Sequence, residues 1–268
     1  MILKGKRGLI MGVANDKSIA WGIAKACAAQ GAELGFTYQG EVFKKRLDPL
    51  IASIGGSKVV VECDVTSEEA LDKTFAEIKK SWGHFDFLVH AVAYSNKEEL
   101  KGRYCDTTLE NFLNSMHISC FSFTSVVRRA AEMMPKGGSM MTLSYIGAER
   151  VIPNYNVMGV AKAALEASVR YLAADFGPQN IRIHGLSAGP MKTLAGSAIA
   201  NARYTFRTAE DTAALHRSIT LEDIGNTSVY LLSDMSAGTT GEMHYVDAGF
   251  RCMGMLPPGR IAAETDVE

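Results

Sequence analysis

Short apolar runs alternate with polar segments whose apolar positions recur at helical spacing, and the alternation continues through most of the chain. Arg7–Val13 reads as a first strand and Ile19–Gln30 as a helix closed by Gly31. Glu33–Tyr38 is a second strand, followed by a helix near Glu41–Ile54 that stops at Gly55-Gly56. Lys58–Cys63 is a third strand, after which Thr66 or Ser67 caps a helix to about Ser81 with Glu68 and Glu69 in its first turn. Phe85–Ala91 is a fourth strand, and a long helix is expected near Leu109–Met134. Gly138–Ser144, Ile181–Ser187 and Met243–Asp247 complete seven strands, with helices expected at Asn154–Phe176 and Glu222–Leu232.

Repeated β-α units with short connections predict an α/β fold: a doubly wound, parallel seven-stranded sheet, Rossmann-like, with helices on both faces. No linker or compositional break divides residues 1–268, which are read as a single domain. Two segments break the alternation. Tyr94–Asp106 and Ala188–Arg217 each follow a strand, on the carboxyl edge where open α/β sheets bind ligands. Short helices within Ala198–Arg207 would suit a substrate cover spanning about 188–217.

Composition narrows the function mainly by exclusion. Net charge is -1, from 28 basic and 29 acidic residues, so no global field points to nucleic acid or an anionic membrane. Five scattered cysteines form no CxxC pair and read as reduced, buried thiols, and the histidines show no metal-ligand spacing. The N-terminus lacks a signal-peptide pattern and no stretch of about 18 apolar residues occurs. A cytoplasmic protein that binds neither nucleic acid, membrane nor metal is expected.

Candidate chemistry lies around Tyr145, Tyr155 and Lys162. If Tyr155 opens a helix, the seven-residue step to Lys162 is almost two turns and returns to the same face, about 20° off. An ammonium there is expected to favour phenolate and lower the tyrosine's pKa from its reference of roughly 10. Such a phenol could protonate or hydrogen-bond an oxygen that gains charge during hydride transfer. A half-buried tyrosine and a surface lysine on an ordinary amphipathic helix fit the same spacing.

The strand ends suggest a nucleotide site. Gly12 to Gly22 joins the first strand to the first helix without the G-x-G-x-x-G fingerprint. It offers a turn glycine and Ser18 at the helix start, a pyrophosphate cradle or simply an N-cap. Gln39 follows the second strand where an acid usually holds the adenine ribose; a neutral amide tolerates NADH and offers no charge to a 2′-phosphate. Lys44, Lys45 and Arg46 one turn on could still reach one. Asp64-Val65 could accept from an adenine amino group beside an apolar wall, or merely turn the chain. Ala91-Val92-Ala93 ends the fourth strand in small residues that admit a cofactor close to the backbone.

Together these residues resemble the short-chain dehydrogenase/reductase superfamily, specifically its bacterial NADH-dependent enoyl-acyl-carrier-protein reductase branch, over about residues 3–250. The segments that carry the resemblance are Gly12–Gly22, Leu143–Arg150, Ile152–Gly159 running to Lys162, Ser187–Pro190, Gly241-Glu242 and Val246–Phe250. Ketoreductases of the superfamily carry Tyr-x-x-x-Lys with a serine twelve or thirteen residues before the tyrosine. Here Gly159 stands at i+4, the lysine comes at i+7, and Thr142 and Leu143 occupy the serine positions. The resemblance implies reduction of the trans-2 double bond of a carrier-bound enoyl thioester in fatty acid elongation. Tyr155 would hydrogen-bond the enolate oxygen, Lys162 would hold the nicotinamide ribose, and Tyr145 would close the substrate pocket. It also implies NADH contacts at Gly12, Ser18, Ile19, Gln39, Asp64, Val65, Val92, Lys162, Met191, Lys192, Thr193, Leu194 and Ala195, and a substrate contact at Ser95. Acyl carrier protein as partner and a homotetramer follow from it too.

Departures accompany the match. Ala93 stands where many relatives have glycine, and of the usual basic cluster on the cover helix only Arg203 and Arg207 remain, interleaved with Tyr204 and Ala200. The apolar tail from Cys252 to Pro258 suits a subunit contact or a fold-back on its own core. Two rival functions stay open on sequence alone: a 3-ketoacyl or other carbonyl reductase, and a non-catalytic NAD(H)-binding sensor or scaffold.

Overall fold

The computed structural model describes residues 1–194, 196 and 202–255. Seven strands form one parallel sheet in the order β3-β2-β1-β4-β5-β6-β7. They are β1 (Arg7–Met11), β2 (Glu33–Tyr38), β3 (Val60–Glu62), β4 (Phe87–His90), β5 (Gly138–Ser144), β6 (Ile181–Ala188) and β7 (Met243–Val246). All seven expected strands are present; β1, β3, β4 and β7 are one to three residues shorter than expected and β6 one residue longer. The strand order reverses between β1 and β4, which opens the ligand crevice of a doubly wound sheet.

Helices α1 (Ile19–Ala29) and α2 (Gly40–Ser53) pack with α8 (Leu221–Leu232) on one face; Ile10, Phe36, Val89, Met141 and Leu186 supply the sheet side of that core. The opposite face carries α3 (Glu68–Trp82), α4 (Leu109–Met116), α5 (Ser122–Ala131) and α6 (Asn156–Phe176) over Leu9, Leu88, Met140 and Ile183. Each central strand alternates between the two cores, so the sheet is buried on both sides. The expected helix near Leu109–Met134 is two, α4 and α5, joined by a π-helical turn at His117–Phe121. Such turns insert a residue into the helical ladder and re-aim the side chains around them. In the expected cover, α7 runs from Ala202 to Thr212, so its first half falls within the expected Ala198–Arg207, of which 198–201 lie outside the described residues. Ala195, Ala200 and the tail from Leu256 through Pro258 lie outside the described residues. Of the thiols expected to be buried, Cys105 and Cys252 are exposed. Among the described residues no helix is long and apolar enough to cross a membrane.

Candidate active site

The loops that follow β4 and β5 meet at Tyr155, through Leu100 and Tyr145. The tyrosine is the N-cap of α6 rather than part of it, because Asn154 (φ 63°) and Asn156 (φ 38°) flank it in left-handed backbone. Asparagine tolerates that region better than most residues. The Tyr155 ring is buried and meets the ring of Tyr145 edge-on, centroids 5.1 Å apart at 75°. Leu100, Val157 and Met158 pack around Tyr155, with Phe112, Tyr145 and Ile152 against them. The pocket wall is thus apolar apart from its phenols.

Two glycines make that arrangement possible. A β-carbon on Gly147 would run into the Tyr155 ring, and one on Gly159 would stand 2.7 Å from the Gly147 carbonyl oxygen. The i+4 position, a lysine in the ketoreductase pattern, is therefore where the loop after β5 crosses α6. The lysine appears one turn deeper.

Lys162 is buried, and its Nζ donates to Leu143 O at 2.8 Å. Burial pushes the ammonium down to about 8, against Cys120 and Glu166, which favour its charge. The expected lowering of the Tyr155 pKa does not occur. Burial pushes this phenol up, and the Tyr145 and Glu166 charges act in the same direction. Burial also pushes Tyr145 up, to about 12. Desolvation of the phenolate outweighs any help from the cation, so both phenols are neutral donors at working pH.

The nucleotide-side residues line the crevice. Gly12 has φ 92°, and a β-carbon there would collide with Ala91 O, so β1 and β4 part immediately beyond it. Ser18 occupies the N-cap of α1 but does not cap it. Its Oγ turns back on the loop, accepting from Ala14 N and Asn15 N and donating to Asn15 O. The first-turn amides, Ile19 included, therefore carry no side-chain cap. Gln39 hydrogen-bonds Asp64, joining the ends of β2 and β3. Burial pushes the Asp64 carboxyl up, but hydrogen bonds from Thr66 and Gln39 outweigh it and hold it below the usual range. Val65 is buried beside it, and Val92 packs on the core beyond β4.

A cleft of about 270 Å³ lies between Lys17, Pro190–Thr193, Phe206, Ser218, Ile219 and Leu221. Met191, Lys192 and Thr193 line it; Leu194 beside them is exposed. Thr193 Oγ1 accepts from Gly196 N at 2.9 Å, which leaves its hydroxyl hydrogen to donate elsewhere. Ser95 is held by Asn111 Oδ1 at 3.3 Å and by Ser115 Oγ at 2.9 Å.

Several residues of the site carry no signal in the sequence reading. Asn156 Nδ2 reaches Gly102 O at 3.3 Å and so ties the loop after β4 to Tyr155. Ser119, in the π-helical turn, accepts from Tyr94 N and donates to Tyr94 O, both at 3.0 Å. Glu166 is buried one turn beyond Lys162 and accepts from Ser144 Oγ at 2.6 Å. A lone acid in the apolar stretch after Lys162 was the available clue.

The residues present fit a nicotinamide dinucleotide. An ammonium has three donors, and Leu143 O is the acceptor Lys162 has among the described residues, so it can still hold sugar hydroxyls. Uncapped amides at the head of α1 suit a pyrophosphate. Among the described residues no cluster of metal-ligating side chains occurs.

Comparison with known proteins agrees with this geometry. An enoyl-acyl-carrier-protein reductase from Rhizobium meliloti, described as NADH-dependent, is 57% identical over 254 residues, spanning 95% of this chain and 94% of its own. The corresponding Rickettsia typhi enzyme is 54% identical over 253 residues, covering 94% of this chain and 97% of its own. A crystal structure of the reductase from Anaplasma phagocytophilum, in complex with NAD, superposes with a TM-score of 0.93 at 56% identity, covering 96% and 98% of the two chains. The family model described as enoyl-(acyl carrier protein) reductase matches residues 12–251, and the chain belongs to that family.

Proposed function

We infer that this chain is an NADH-dependent enoyl-acyl-carrier-protein reductase, acting on the trans-2 double bond of enoyl thioesters during fatty acid elongation. The observation that carries the reading is the edge-on pair of buried Tyr155 and half-buried Tyr145, with buried Lys162 at i+7 and glycine at i+4 where a ketoreductase has its lysine. Bound NADH supplies the hydride that reaches C3 of the substrate. As C3 accepts it, charge collects on the thioester oxygen, and the neutral Tyr155 hydroxyl hydrogen-bonds that enolate oxygen. A carbonyl reductase needs its hydroxyls at the alkoxide that receives the hydride's electrons, whereas an enolate oxygen lies away from C3 and calls for a donor set apart from the nicotinamide.

The other roles follow the same geometry. Lys162 holds the nicotinamide ribose, and Tyr145 closes the apolar pocket over the acyl chain. Gly12, Ser18 and Ile19 surround the pyrophosphate; Gln39, Asp64 and Val65 surround the adenosine; Val92 and Met191 to Ala195 flank the nicotinamide half. The neutral Gln39 favours NADH over NADPH. Ser95 contacts substrate. Acyl carrier protein delivers the thioester, and Arg203 and Arg207, exposed on α7, face it. The chain works as one catalytic domain within a cytoplasmic homotetramer, for which sedimentation of the purified protein is the check.

The deciding experiment incubates the protein with NADH and, in parallel, crotonyl-CoA and acetoacetyl-CoA, following the loss of NADH absorbance. Oxidation with crotonyl-CoA alone is expected. Turnover of acetoacetyl-CoA alone would move the assignment to carbonyl reduction, and tight NADH binding without turnover would favour a sensor or scaffold.

A further inference from the structure

The last two residues of β5 are held from consecutive turns of α6. Lys162 Nζ donates to Leu143 O at 2.8 Å, and Ser144 Oγ donates to Glu166 Oε1 at 2.6 Å. Residues four apart on a helix are neighbours, their Cβ atoms about 5–6 Å from one another. A cation and a carboxyl, both buried, therefore stand one turn apart behind Tyr145, which follows Ser144 directly.

Other titratable groups face this pair from every element packed on it: His90 on β4, Cys120 in the π-helical turn, Glu149 after β5, Tyr155 and Arg170 at either end of the pair on α6, and Tyr245 on β7. Burial holds the His90 imidazole down to about 3 and pushes the Cys120 thiol up, so neither carries charge at working pH. Burial also pushes the Tyr245 phenol up, and its hydroxyl is spent on Glu149. Glu149 and Arg170 act on Glu166 with opposite signs. Among the described residues, Glu166 is the buried carboxyl beside Lys162.

We infer that Glu166 is a positioning residue, which keeps the Lys162 ammonium charged and clamps the strand end that carries Tyr145. A buried ammonium loses its proton readily unless an opposite charge lies close. Burial pushes Lys162 down to about 8; of the two groups whose charge would work against it, Cys120 and Glu166, the thiol is uncharged at working pH, which leaves Glu166. Burial pushes Glu166 up, and its bond from Ser144 and the Lys162 charge pull it back. The two side chains sustain one another's ionised forms while gripping adjacent peptide units. This inference rests on the proposed role of Lys162 as the cation that holds NADH.

The test is NADH affinity, titrated by fluorescence from about pH 6 to 10 on the whole protein without acyl substrate. Wild type is expected to weaken as pH rises through the Lys162 value of about 8. Glu166→Gln retains an acceptor for Ser144 and removes the charge, so the weakening should begin about one pH unit lower. Glu166→Asp retains the charge but falls short of Ser144; its affinity profile should follow wild type while kcat with crotonyl-CoA drops. An unmoved profile in folded Glu166→Gln, or one displaced in Glu166→Asp, overturns the inference. Glu166→Asp decides alone if Glu166→Gln does not fold. Absence of NADH binding by wild type would instead overturn the cofactor assignment itself.

Discussion

Gly159 lies against Gly147 so closely that a β-carbon on the first would stand 2.7 Å from the carbonyl oxygen of the second. Gly147 in turn leaves room for the Tyr155 ring. A methyl at either position pushes the loop after β5 away from α6 and misplaces the phenol. A displacement of about 1 Å at a reacting group can cost on the order of 10²-fold. Gly159→Ala is expected to lower kcat for crotonyl-CoA by about 10- to 100-fold. NADH affinity, read by fluorescence titration, should stay close to that of wild type.

Tyr155→Phe keeps the ring against Tyr145 and removes the donor. Losing one transition-state hydrogen bond to an oxyanion costs about 10²- to 10³-fold in kcat. NADH affinity is expected within about twofold of wild type, because the phenol makes no cofactor contact in this mechanism. Since burial pushes the Tyr155 phenol up, wild-type activity should show no loss assignable to its ionisation across the neutral and mildly alkaline range. A large increase in NADH Kd for the variant would contradict the assigned role.

If Lys162 holds the nicotinamide ribose, it couples cofactor binding to stability with opposite signs. Its folded value of about 8 lies below the ordinary lysine value of 10.5, so the folded state resists the proton that the unfolded chain readily holds. The penalty is full below the folded value and fades as pH rises from 8 to 10.5. Lys162→Met should therefore bind NADH more weakly yet melt at a higher temperature without cofactor at pH 7. That gain should shrink through the same alkaline window. Melting curves at several pH values, with and without NADH, test both halves.

Arg203 and Arg207 are exposed on α7, Arg207 standing 3.9 Å from Asp211. If the acidic carrier docks there, charge reversal at both positions should raise KM for a carrier-bound crotonyl thioester several-fold, with weaker dependence on salt. KM for crotonyl-CoA should change much less. Equal changes for both substrates would remove this helix from the docking surface.

His184 is fully buried on β6, neither ring nitrogen has a partner among the described residues, and its ring lies 5.5 Å from that of His244. Burial holds its imidazole down to about 3, so it is neutral, with one N–H left unsatisfied. An unpaired buried donor costs about 1–3 kcal/mol. His184→Leu is expected to raise the melting temperature by about 2–4 °C, the shift that 1 kcal/mol produces in a chain of this size. A marked drop would show that the imidazole has a partner through ordered water.

The order of elements was legible along the chain because strand and helix spacing are local patterns, and seven apolar runs between helical segments leave few alternatives to a parallel sheet. Gly12, Gln39, Asp64, Tyr145 and Tyr155 were legible as candidate site residues because each follows a strand or opens a helix on the carboxyl edge, and Lys162 because its seven-residue step from Tyr155 returns to the same helical face. Boundaries and charge states were not. The expected long helix gave way to a π-helical turn at His117–Phe121, and Tyr155 moved outside α6 because its two asparagine neighbours adopt left-handed backbone.

Two matters of site chemistry were reversed or supplied by tertiary packing. The spacing of Tyr155 and Lys162 argued for a depressed phenol, whereas enclosure by Leu100, Val157, Met158 and Tyr145 raises it. The Glu166–Ser144 bond joins residues 22 apart, and no local pattern announces it. Helical and strand periodicity determined which residues reach the sheet edge. Desolvation and through-space contact, which depend on the whole surround of a group, decided what those residues can do there.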